Sequence, residues 1–331
     1  MTKIISTSLQ ELAEAGEVIK SGGLVIFPTE TVYGLGADGL NPDAVKNIFR
    51  AKGRPSDNPL ILHVSDMEMA EKIGEINPNA KKIMEKFWPG PITVIVAKKD
   101  VVPTEVTAGL DTVAIRMPSN PVAKKLIEFA QTPVAAPSAN LSGKPSPTTF
   151  RHSFCDMNGR VDMIIDGGDC DIGIESTVVD TTSTPPTVLR PGGITAEMLA
   201  ELFPDVEVEE HKKEGTEGYT PKSPGMKYKH YAPDAQVILY TTEDKLAADL
   251  EEFKKQGKKV GLFKKDDLAL SADIDISWGN DTADLAKRLF CSLRRFDELG
   301  AEVILCQLPE KSGMWRGVYN RLYKSAGFDV R

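Results

Sequence analysis

Two short segments near the N-terminus concentrate residues that handle anions. PTETVYGLG (28–36) leaves an apolar run at 24–27 and places hydroxyls and glycines where a strand should end. KGRPSDNP (52–59) puts the Lys52 ammonium, the Arg54 guanidinium fork and the Asn58 amide on a helix end and the turn after it. Such a set can hold a polyphosphate. The same cations would equally offset the C-terminal end of a helix dipole above a proline turn, so the segment alone leaves both readings open.

Further polar residues stand at the ends of apolar runs. Arg116 closes a strand that Thr112 opens, where a charge is costly unless it is paired or reaches a cleft. Strand ends are where sites form in α/β folds, although a structural ion pair would also satisfy it. His63 lies on a strand ending at Val64 and could face either way. PSANLSGKPS (137–146), with Ser138 and Ser146, offers hydroxyl and backbone donors to phosphate oxygens, or is a plain Ser/Pro-rich loop. Ser176 enters a strand and Arg190 leaves one; each could be a turn device. No Ser-His-Asp or Cys-His set stands out. The four cysteines and four histidines are dispersed without a Cys-x-x-Cys pair, so no structural metal is predicted.

The elements that must position these residues alternate in type. Ser8 caps a helical pattern over 9–20, and Asn41-Pro42 starts a helix that Gly53 should end. Strands are predicted at 24–27, 60–64, 92–97, 113–117, 134–136, 163–165, 177–180 and 187–189, and helices at 66–75, 78–87, 120–130 and 195–202. This is an α/β domain with a mixed, twisted sheet over 1–205. Residues 206–234 read as a linker rich in charge, proline and glycine. From 235 to 331 a βαβ-like alternation predicts a small Rossmann-like domain, without the Gly-x-Gly-x-x-Gly turn of a dinucleotide site.

A chain of 331 residues suits two cores. Its net charge of −8, with no basic excess on either side of residue 205, argues against a nucleic-acid-binding surface beyond a local patch. No apolar run approaches the ~18 residues of a membrane span, and the N-terminus lacks a secretory pattern, so a cytoplasmic location is expected.

The order of PTETVYGLG, KGRPSDNPLILHV, FWPGPITVIV, VAIRMP, APSANLSGKPSPT, STVVD and LRPGG resembles the YrdC-like family, and the whole chain resembles its long, two-domain branch. The resemblance implies a YrdC-like twisted sheet with flanking helices and an L-threonylcarbamoyladenylate synthase activity. L-threonine, bicarbonate or CO2 and ATP would be consumed, with release of pyrophosphate. The product would pass to downstream threonylcarbamoyl-transfer machinery acting on adenosine 37 of tRNA. By motif, Thr31, His63, Arg116, Ser176 and the backbone at Ala136 should line the threonine pocket. Lys52, Arg54, Asn58, Thr112, Ser138, Ser146 and Arg190 should contact ATP. Mg2+ should accompany the triphosphate, and no tightly bound organic cofactor or covalent nucleophile is implied. Within the linker, Lys229, His230 and Tyr231 match a segment that would fold over the site as a lid; a spacer is the other reading. A monomer is expected. An RNA-binding module and a carbamoyl-transfer module of the same fold are the alternative functions.

Overall fold

A computed structural model describes residues 1–209, 230–309 and 313–331. By internal contacts the chain divides into two units. The first holds Met1–Ser142, Pro147–Asp171 and the described residues from Glu175 to 209. The second holds the described residues from His230 onward, together with Gly143–Ser146 and Ile172–Ile174.

In the first unit local chemistry fixes the helix starts. Helices Pro42–Lys52, Pro78–Phe87 and Pro121–Ala130 each follow an asparagine whose side-chain oxygen accepts backbone N–H groups of the first turn, with proline at the first helical position. An asparagine cap is worth about 1 kcal/mol, and proline there loses no hydrogen bond. Ser8 caps Leu9–Lys20 through Glu11 N, and Gly53 ends Pro42–Lys52 at φ 61°.

These helices flank one mixed sheet of 12 strands, in which Val25–Phe27, Gly34–Asp38, Val134–Ala135, Ile61–His63, Thr112–Arg116, Ile92–Lys98, Thr177–Asp180 and Thr187–Arg190 are consecutive neighbours. Side chains alternate between the faces of a strand. Leu62, Val113, Ile115, Val94 and Val96 enter the large core on one face. On the other, Ile61, Ile95, Ala114, Val178 and Leu189 form a small apolar cluster. The register pairs Ile61 with Ala114 and His63 with Arg116. Thr112, Arg116, His63, Thr93 and Ser176 therefore belong to the second face, around that apolar floor.

Several parts differ from the sequence reading: strand Lys3–Ile5 and helix Thr104–Thr107 were not predicted, and the helix predicted over 66–75 ends at Ile73, where Gly74–Glu75 pairs with Ala97 and Lys98 as a strand. PTETVYGLG is loop only over 28–33; its glycines belong to strand Gly34–Asp38. A Cβ on Gly36 would lie 2.8 Å from the Phe27 ring and 2.9 Å from Val134, so glycine is what lets this strand close on its neighbours. Helix Phe150–Met157 forms where no helix was predicted, capped by Thr149. Residues 206–209, assigned to the linker, contain strand Glu207–Val208, which pairs in parallel with Thr187 and Val188.

The second unit has four parallel strands in the order Gln236–Tyr240, Val303–Gln307, Val260–Lys264 and Ile274–Ser277. Ile238, Leu246, Leu250, Leu262 and Leu305 form its core, with helices Glu243–Lys255, Thr282–Glu298 and Trp315–Ser325 completing a Rossmann-like α/β layer. Strand Ile274–Ser277, whose sequence IDIS carries only two apolar residues, was not predicted and extends it by one.

Candidate functional site

The loop 28–33 leaves Phe27 and turns on its own hydroxyls. Thr29 Oγ1 lies 2.9 Å from Thr31 Oγ1 and 2.6 Å from the Val32 carbonyl, and both threonines are buried. This turn projects Glu30 onto Arg116: the Arg116 Nη2 donates to Glu30 Oε1 at 2.7 Å, with both side chains about 95% buried. Glu30 Oε2 accepts the Ser119 N–H at 3.2 Å. Beside Arg116 in the register stands His63, packed edge-on against Phe27 at 6.2 Å. Burial, and then the Arg116 charge, lower the His63 pKa to about 3, so the ring is neutral. The His63 Nδ1 and Arg116 Nε are buried without a hydrogen-bond partner.

Ser176 joins this end through a buried chain. Its hydroxyl lies 2.8 Å from Thr93 Oγ1 and accepts from Arg190 Nη2 at 3.1 Å, while Arg190 Nε donates to the Ser176 carbonyl. Arg190, expected on the nucleotide, and Ser176, expected on threonine, are thus in direct contact. Ala136 is buried and its N–H is spent on the Ile61 carbonyl, which leaves its own carbonyl as the group an amine could reach.

The residues expected to meet ATP are differently placed. The Lys52 ammonium is buried and donates to the carbonyls of Ser138 and Asn140, so it ties the helix end to the 138–142 loop. Ser138 in turn donates to Asn140 Oδ1. Arg54 Nη2 donates to the Asn58 carbonyl at 3.2 Å, and its guanidinium sits 5.9 Å from the Phe49 ring. Asn58 is fully buried, with neither amide atom hydrogen-bonded. Thr112 shares the face of Arg116 but four residues away, about 13 Å along the strand.

Other expected residues belong to the second unit. Ser146 is buried in Gly143–Ser146. Tyr231 is buried at φ 66° with its ring 5.2 Å from Phe290, and His230 packs against Tyr231 at 5.5 Å. Lys229 lies outside the described residues. Among the described residues no group of three or more His, Cys, Asp or Glu side chains could hold a metal ion. Sequence reasoning missed Glu30 and Thr93; the acid within PTET, flanked by hydroxyls at a strand exit, was the available signal for the first.

The Sua5/YciO/YrdC family model, described as telomere recombination, matches residues 17–192, and the threonylcarbamoyl-AMP synthase C-terminal domain matches residues 194–327. Threonylcarbamoyl-AMP synthase of Pyrococcus abyssi is 46% identical over 96% of this chain and 94% of its own. The chain belongs to the threonylcarbamoyl-AMP synthase family. The Bacillus subtilis synthase is 43% identical over 99% of this chain and 96% of its own. The crystal structure of P. abyssi Sua5 complexed with L-threonine superposes with a TM-score of 0.94, at 43% identity, covering 100% of this chain and 98% of that one. Escherichia coli YciO covers 58% of this chain at a TM-score of 0.53. No helix among the described residues is long and apolar enough to cross a membrane.

Proposed function

We propose that this chain makes L-threonylcarbamoyladenylate from L-threonine, bicarbonate or CO2 and ATP. The threonine amine condenses with bicarbonate to a carbamate, losing water; a carbamate oxygen then forms a bond to the α-phosphorus as pyrophosphate leaves. The observation that supports this reading most is the buried Arg116 beside His63 and Ser176 at one end of an apolar floor, with Thr112 about 13 Å away at the other. That length suits an amino acid joined end to end with a nucleotide.

Arg116 clamps the threonine carboxylate as a guanidinium fork, with Thr31, His63 and Ser176 around the side chain and the Ala136 carbonyl accepting from the amine. Arg54, Asn58, Ser138, Ser146 and Arg190 meet the nucleotide with Thr112. Lys52 shapes the 138–142 loop that faces it. Such a reaction is carried by positioning and charge stabilisation rather than by a nucleophile. Mg2+ would accompany the triphosphate and offset its charge. The protein works in the cytoplasm and passes its product to the transfer machinery that modifies tRNA.

The test is pyrophosphate release from ATP measured with L-threonine and bicarbonate each omitted in turn. Release should require both. Turnover that persists without threonine would sink the assignment.

A further inference from the structure

We infer that Glu30 sets the charge selectivity of the amino-acid subsite: by neutralising Arg116 it makes the subsite accept a zwitterionic α-amino acid in preference to a simple carboxylate of the same size. The inference rests on the reading that Arg116 holds the threonine carboxylate.

An arginine buried alone at a strand end would attract any carboxylate strongly, because opposite charges in a low-dielectric interior interact far more than in water. Arg116 is not alone. Its Nη2 donates to Glu30 Oε1 at 2.7 Å, and the two side chains are 5% and 6% exposed. Glu30 is fixed from both sides: its second oxygen accepts the Ser119 N–H, and its backbone lies between Thr29 and Thr31, whose hydroxyls bond each other. The neighbouring His63 adds no charge. The pair is therefore net neutral, and the Arg116 Nε is left without a hydrogen-bond partner within the protein. A neutral pair of separated charges is complementary to a ligand that is itself a neutral pair of separated charges. An anion lacking the ammonium brings a net charge beside the same buried pair, and the carboxylate of Glu30 repels it. Selectivity of this kind needs a repulsive element as well as an attractive one, and Glu30 supplies it.

The experiment is calorimetric titration of the full-length protein with L-threonine and with 3-hydroxybutanoate, which is threonine without its amino group, and with ATP as a check on folding. The wild type should prefer threonine. In Glu30→Gln the preference should fall at least tenfold, with 3-hydroxybutanoate gaining affinity and ATP affinity changing less than twofold. Glu30→Asp, which keeps the charge, should retain most of the preference. An unchanged ratio in Glu30→Gln overturns the inference, as does equal loss in Glu30→Asp, which would reduce Glu30 to a structural tie. Equal affinity of the wild type for both ligands overturns it without any variant. Arg116→Gln separates the two levels: threonine binding should vanish, and if it survives, the Arg116 reading itself fails.

Discussion

The two ends of the polar face satisfy their buried groups in different ways. At the amino-acid end the charge meets an opposite charge, Arg116 Nη2 on Glu30, and Ser176 has both Thr93 and Arg190, while Arg116 Nε and His63 Nδ1 bond nothing. At the turn from Lys52 to Asn58, the cation is consumed by carbonyls of the 138–142 loop, whereas the fully buried amide of Asn58 bonds to nothing through its side chain. An unpaired buried charge costs several kcal/mol, so it is paired before any ligand arrives. An amide left open costs only about 1 to 3 kcal/mol, a cost a ligand can offset on binding. Residue type alone is thus a poor guide to role: the lysine, chemically the obvious phosphate ligand, also ties the helix end to the 138–142 loop, and the modest asparagine holds an open amide.

The largest effect that could break this contrast is at Lys52. Lys52→Met removes the donor from two carbonyl oxygens, one buried and one partly buried, and should destabilise the protein by about 3 kcal/mol. For a unit of this size that lowers the melting temperature by roughly 6 to 12 °C. ATP-dependent turnover should fall in step, because the 138–142 loop loosens. A variant that melts like the wild type while losing ATP affinity would make Lys52 a ligand contact and erase the distinction.

Next in size is a pH effect at the other end. His63 titrates near 6.5 when unfolded but only near 3 in the fold, chiefly through burial. Between these values the unfolded chain binds a proton that the folded one does not. Stability from this group is fully present above pH 6.5 and is lost as pH falls from 6.5 toward 3, amounting to about 2 kcal/mol at pH 5. Urea denaturation of wild type and His63→Gln at pH 7.5 and pH 5 should show the variant losing about 2 kcal/mol less on acidification. Parallel losses would mean that His63 charges in place, and the amino-acid end would then carry a net positive charge.

What the sequence made legible follows the range of the interaction. The Asn41-Pro42 helix start was readable because capping is completed within four residues, the same device at Asn77 and Asn120 opens helices read there only as helical segments, and Arg116 and His63 drew notice as polar residues at the ends of apolar strands. Strand Gly34–Asp38 was hidden because its glycines answer to the Phe27 ring across the sheet, a constraint that propensity does not encode. Glu30 was passed over because its partner lies 86 residues away. Ser146 and Ser138 sit in one Ser/Pro-rich loop in the sequence, yet contacts divide them between the two units. The individual roles came from the ordered motifs of the family rather than from the chemistry of any one residue.

The smallest effect is the most discriminating one. Asn58→Leu replaces both unbonded amide atoms with apolar ones of similar shape, and a buried polar group that lacks partners is a liability that such a change removes. Stability should stay level or rise by about 1 kcal/mol. If the amide is kept because it bonds the nucleotide, the same variant should raise the KM for ATP about tenfold, the equivalent of ~1.4 kcal/mol, with the KM for threonine unchanged. Stability and affinity moving in opposite directions is a signature that neither scaffold nor surface residues produce. A fall in both would place Asn58 with Lys52 as support. A rise in stability with no change in the KM for ATP would leave the open amide without a ligand, and the nucleotide end would then rest on Arg54, Ser138 and Arg190.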